Sequence, residues 1–90
     1  MEDWVVARRD GLLVAELDDE LMGLHEEAGT CYGFNATASC VWKAIERPRT
    51  FSQLRAELMR QFEVDDVRCD KELRKILLEF EAKGLVALTR

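Results

Sequence analysis

The sequence has one proline, five glycines, one histidine and three cysteines among 90 residues, and it has no long apolar run. Each shortage removes a class of protein. So little proline and glycine excludes a flexible linker or a disordered tail. No window approaches the roughly 20 apolar residues of a membrane-spanning helix. The start, Met1-Glu2-Asp3, is acidic and lacks the basic opening and apolar core of a secretion signal. The expectation is a soluble, cytoplasmic chain with no membrane partner.

His25 is the sole histidine, no glycine-rich elbow surrounds a serine, and neither an H-E-x-x-H nor a phosphate-loop pattern occurs. Nucleophilic and metal-hydrolytic chemistry therefore lack their parts. The acidic residues fall on helix faces and in turns, with no cleft to raise a carboxyl pKa. No catalytic residue is assigned, and the chain is read as a non-enzyme. Cys31, Cys40 and Cys69 contain no C-x-x-C pair, are odd in number, and match no common zinc spacing with His25. They are read as reduced thiols, with no metal and no cofactor. The formal charge of −5 is spread along the chain, which argues against a footprint for phosphate backbones and hence against nucleic acid.

What is present is a globular composition, 48% apolar and 34% charged, in a length that permits one core. Residues 1–90 are read as a single domain. Trp4 to Arg9 is β-branched and aromatic, Asp10-Gly11 is a turn signal, and Leu12 to Leu17 resumes an apolar run, which together predict a hairpin. Asp18-Asp19 turns the chain again into Glu20–His25, and Glu26 to Gly29 turns it into Thr30–Phe34. The N-terminal third reads as an antiparallel meander of three or four strands, whose last strand is an edge open to pairing.

From there the pattern is helical. Asn35 or Thr37 can cap a helix over about Thr37 to Glu46, whose Ala38, Val41, Trp42 and Ile45 form one apolar stripe before Pro48 stops it. Thr50 with Gln53 forms a capping box for a second helix with Phe51, Leu54 and Leu58 inward, ending near Phe62. Asp65 or Asp66 opens a third, with Cys69, Leu73, Ile76, Leu77 and Phe80 on one face, and Gly84 ends it. Leu85 to Leu88 is either a small strand or a packed tail. The fold class is α+β, a winged helix-turn-helix-like arrangement with an N-terminal antiparallel sheet followed by three helices.

Leu78 and Val67 remain on the side of the third helix away from its core face, with Lys71 and Arg74 beside them. This strip reads either as an ordinary solvated face or as the wall of a binding groove.

Gly29-Thr30-Cys31-Tyr32-Gly33-Phe34-Asn35-Ala36-Thr37-Ala38, then Val41-Trp42, Pro48-Arg49-Thr50, Val64, Leu73 and Gly84-Leu85-Val86 together resemble the PqqD-like family of RiPP recognition elements. These are small peptide chaperones of ribosomally made, modified peptides. The likeness covers nearly the whole chain and is greatest to stand-alone members of lasso-peptide pathways, where an aromatic-x-Leu-Asn-x-Thr-Ala/Gly segment precedes a helix ending in Trp. Here Phe34 takes the place of that leucine. Gly33 is unusual in a strand, and either loosens the edge or admits a bulky ligand side chain.

The resemblance implies that the leader segment of a precursor peptide adds as a strand beside Thr30, Cys31, Tyr32, Gly33 and Phe34, in a groove against the third helix. Whichever of Cys31, Gly33, Leu77 and Leu78 line the groove would receive its apolar side chains, and Lys71 and Arg74 would meet its acidic residues. It further implies delivery to a separate maturation enzyme, such as a leader peptidase and then a cyclase. Two alternatives share the fold: a winged-helix DNA-binding regulator, and a chaperone subunit of a radical SAM or quinone-cofactor pathway. Which parity of the edge strand faces the groove is open at this level.

Overall fold

A computed structural model describes residues 3–18, 20–27 and 29–89. The turns expected at Asp18-Asp19 and at Glu26 to Gly29 include Asp19 and Ala28, which lie outside the described residues, as do Met1 and Glu2. Strands β1 (Val5–Arg8), β2 (Leu12–Leu17), β3 (Glu20–His25) and β4 (Thr30–Phe34) lead into helix α1 (Ala36–Ala44). The short β5 (Arg49–Thr50), α2 (Phe51–Gln61), α3 (Asp66–Ala82) and β6 (Val86–Thr89) complete the chain.

These elements make an α+β fold with two small antiparallel sheets, ordered β2-β3-β4 and β5-β1-β6, around three helices. The expected hairpin of the first two strands does not form. β1 pairs instead with β6 along its whole length, from Val5↔Thr89 to Arg8↔Val86, and with β5 on its other side. The Asp10-Gly11 turn, with Gly11 at φ 101, carries the chain out of one sheet and into the other. The C-terminal apolar run is thus a strand, and the meander proper is β2-β3-β4.

The helix boundaries follow from their caps. Asn35 accepts the Ala38 N–H at 2.8 Å and so decides the start of α1. Thr50 and Gln53 exchange both bonds of a capping box at 3.1 and 3.0 Å. Asp65 accepts from the Arg68 N–H at 2.7 Å to open α3. At the other end, the Leu85 N–H donates to the Phe80 carbonyl and the Gly84 N–H to the Glu81 carbonyl, with Gly84 at φ 75. That paired closure requires a left-handed residue, which glycine supplies without strain.

The core lies between the sheets and the helices. Phe34 of β4, Trp42 of α1 and Phe80 of α3 form a ring cluster with centroids 5.3 to 6.0 Å apart. Val6, Val41, Ile45, Leu54, Leu73, Leu77, Leu85 and Val86 are the most deeply buried residues around it. Arg8 joins the two halves: its guanidinium donates to the Trp42 carbonyl near the end of α1 and lies 4.3 Å from the Trp42 ring centroid. Burial disfavours the charge of this guanidinium and lowers its pKa, with Glu46 opposing the shift.

Candidate functional site

β4 occupies the margin of its sheet and pairs only with β3, in the register Leu21↔Phe34 to His25↔Thr30. No further strand covers its second side among the described residues. A margin of this kind presents backbone groups that an extended peptide can pair with irrespective of its sequence. The strand's end is locked in place by Ser39, a buried residue of α1. Its hydroxyl accepts the Leu21 N–H at 3.1 Å and donates to the Phe34 carbonyl at 3.2 Å, tying this paired end of β3 and β4 to α1.

Because directly paired residues share a face, the register sorts β4 into an inward and an outward row. Phe34 is buried, Tyr32 is half-buried, and both belong to the inward row. Cys31 and Gly33 are exposed on the outer row. They continue two lines across the sheet, Leu13–Leu24–Cys31 and Ala15–Met22–Gly33. That outer face is apolar yet uncovered: Leu13 is 57% exposed, Leu24 41% and Met22 37%. A shallow depression of about 320 Å³ runs over it, lined by Leu13, Val14, Ala15, Met22, Leu24 and Cys31 among others.

The helix that flanks β4 is α3, and two ring contacts fix its rotation. The Lys83 ammonium lies 5.1 Å from the Tyr32 centroid, on the β4 side. The Arg74 guanidinium lies 5.6 Å from Trp4 and 5.2 Å from Phe51, and Arg74 also pairs with Asp70 at 2.6 Å. At 100° per residue Arg74 stands about 180° around the helix from Lys83, Leu78 about 140° and Lys71 about 120°. Glu72, Ile76 and Glu79 all fall within about 40° of Lys83 on the same scale.

The structure therefore divides the residues singled out from the sequence. Thr30, Cys31, Tyr32, Gly33 and Phe34 form the margin. Leu77 is fully buried and belongs to the core beneath α3, so it offers no open surface. Lys71, Arg74 and the half-exposed Leu78 lie on the far flank of α3 and are not brought to β4. The side of α3 that Lys83 turns to Tyr32 also carries Glu72, Ile76 and Glu79, of which Ile76 packs partly buried against the core. Sequence reasoning placed Ile76 on the core face and did not single out Glu72, Glu79 or Lys83, because the core stripe of a helix has two edges and periodicity does not say which edge meets the strand. The outer sheet face had a readable signal, since Leu12-Leu13-Val14 is apolar at consecutive positions and so on both sides of a strand.

Among the described residues, no group of three or more His, Cys, Asp or Glu side chains could hold a metal ion, and no helix is long and apolar enough to cross a membrane. The three cysteines are free thiols, with Cys31 exposed on the margin. Burial raises the pKa of Cys40, whose Sγ donates to Gln61 Oε1 at 3.1 Å, and that of Cys69, whose Sγ donates to the Arg55 carbonyl.

Comparison with known proteins gives one family and two solved structures. The sequence model of the family described as Coenzyme PQQ synthesis protein D (PqqD) matches residues 20–86. The structure of TbiB1 in complex with the TbiA(beta) leader peptide is similar with a TM-score of 0.80 and 26% identity, over 89% of this chain and 93% of that one. A lasso peptide synthetase B1 complexed with the leader peptide is similar in fold, with a TM-score of 0.80 at 16% identity, over 91% of this chain and 96% of that one. No curated protein matches the sequence.

Proposed function

Since this chain belongs to the PqqD family, we propose that it is a non-catalytic module that binds the leader segment of a ribosomal precursor peptide as an added strand and hands it to a separate maturation enzyme. The observation that carries this reading is the margin of β4: among the described residues it is a strand paired on one side only, with α3 alongside through Phe80 against Phe34 and Lys83 against Tyr32. The likeness to two proteins solved with leader peptides supports it.

Strand addition supplies affinity through main-chain hydrogen bonds, each about 0.5–1.5 kcal/mol net. Ordering a flexible leader offsets much of that gain. Side-chain contacts decide which peptide binds. On this reading the backbone of Thr30–Phe34 makes the ladder, and Ile76, flanked by Glu72, Glu79 and Lys83, forms the opposing wall.

The apolar outer face of the same sheet is the surface for the maturation enzyme, of leader-peptidase type. Leu13, Met22 and Leu24 stand exposed outside the core cluster, and their rows run directly into β4. A docked leader and this face would meet the enzyme as one continuous sheet. A second reading, suggested by the family's description, is the same chaperone role in a quinone-cofactor pathway.

Hydrogen–deuterium exchange with candidate leader peptides tests the reading. Protection is expected at residues 30–34 and along 72–83. A peptide that binds tightly and protects neither segment overturns it. The identity of the leader that binds, lasso precursor or quinone-cofactor precursor, separates the two pathways.

A further inference from the structure

We propose that Gly33 is a receiving notch for an aromatic side chain of the docked peptide, whose ring lies across the bare backbone of β4 and against the Met22 thioether. This rests on the strand addition proposed above and names the side chain it selects.

Four of the five glycines have an internal reason to be glycine. Gly11, Gly29 and Gly84 hold φ of 101, 64 and 75, and a Cβ on Gly23 would stand 3.1 Å from Leu12 Cδ1. Gly33 has neither reason. Its φ is not positive, and a Cβ there would meet only Met22 Sδ, at 3.7 Å, an ordinary contact. Glycine weakens a strand interior, and where no turn or bulge needs it, it marks a place of close approach by another group. Among the described residues only Met22 comes within 4 Å of that place, and the position faces outward at the sheet margin.

The register says what can reach it. Ala15, Met22 and Gly33 lie in one line across the outer face, so the next place in the line belongs to the incoming strand. A side chain there shares the face with Gly33 and has an empty site beside it. The floor is backbone, one wall is the Met22 sulfur, and Cys31 is the next residue along the same face of β4. A flat ring covers bare backbone with little loss of freedom, aromatic side chains stabilise glycine in sheets by lying over it, and thioether sulfur packs favourably at a ring edge. Once seated, the ring extends the apolar surface of Leu13, Met22 and Leu24.

The test selects strand-length peptides from a random displayed library on the wild-type chain, and then measures the best peptide by calorimetry on wild type and on Gly33→Val. Enriched peptides are expected to share Phe, Tyr or Trp at one position. Replacing that ring by alanine should weaken binding to wild type about tenfold, and Gly33→Val should weaken the ring-bearing peptide about tenfold while binding the alanine peptide no worse than wild type does. Enrichment without a shared ring position, or a ring peptide indifferent to Gly33→Val, overturns the notch and leaves strand addition standing. Failure of wild type to enrich any peptide overturns both. Gly33→Val should melt no earlier than wild type, because a β-branched residue suits a strand. Should it melt earlier, Gly33→Ala must show the same pattern at about threefold, and its absence there overturns the proposal.

Discussion

The ammonium of Lys83 sits 5.1 Å from the centre of the Tyr32 ring, so the last residue of the α3 closure is held against the middle of the marginal strand. The contact is between an exposed cation and a half-buried ring. Such a pair contributes about 0.5–1 kcal/mol. Lys83→Leu is expected to lower the melting temperature by about 2–8 °C, the equivalent for a domain of this size. Lys83→Arg should restore it. Differential scanning calorimetry checks both.

Ser39→Ala should cost more. The hydroxyl satisfies the Leu21 N–H and the Phe34 carbonyl at once, and both lie in the interior. Its removal strands two buried backbone groups, at about 1–3 kcal/mol. Urea unfolding would show the lost stability, and amide exchange should rise at the Leu21–Phe34 end of the sheet.

The two flanks of α3 make opposite predictions. Ile76→Glu puts charge on the flank beside β4 and is expected to weaken leader binding about tenfold or more, whereas Leu78→Glu on the far flank should leave it within about twofold. Circular dichroism establishes that both variants are folded. A loss at Leu78 with none at Ile76 would move the groove to the other side of the helix.

The three thiols should react in order of access. Cys31 is exposed and is expected to be modified first by a disulfide reagent. Cys40 should follow slowly and Cys69 only on unfolding, since burial keeps both protonated above the ordinary 9.0. Bound leader covering β4 should slow Cys31 alone.

Asp3 gives the acid dependence. Its Oδ1 accepts the Ser52 N–H at 2.9 Å in the first turn of α2, and this bond lowers its pKa from 3.8. A carboxyl with a depressed folded pKa stabilises the fold above its unfolded pKa, and that contribution is lost as pH falls through the folded value. The difference in melting temperature between wild type and Asp3→Asn should therefore be constant above about pH 5 and shrink below about pH 4.

Local signals carried most of the helical half. The caps at Asn35, Thr50 and Asp65 and the stop at Gly84 depend on neighbours a few residues away, which is why sequence located them. Asn35 and Thr37 are both competent caps, and only the backbone geometry chooses Asn35. The partners of β1 were not legible. Val5 faces Thr89 across most of the chain, and Asp10-Gly11 serves equally to close a hairpin or to change sheets. The site was legible as a strand but not as a groove, because the wall is decided by how α3 is rotated about its axis. That rotation shows in Trp4 and Phe51 against Arg74 and in Tyr32 beside Lys83, contacts between residues far apart in sequence.

The pairing of β1 with β6 places Val5 beside Thr89, so the start and the finish of the described fold are neighbours. A short linker joining them, with a new opening cut at Asp10-Gly11, would give a circular permutant in which the longest-range pairing becomes a local hairpin. Lower contact order speeds collapse to the native topology. The permutant should refold faster than the natural order while leaving β4 untouched.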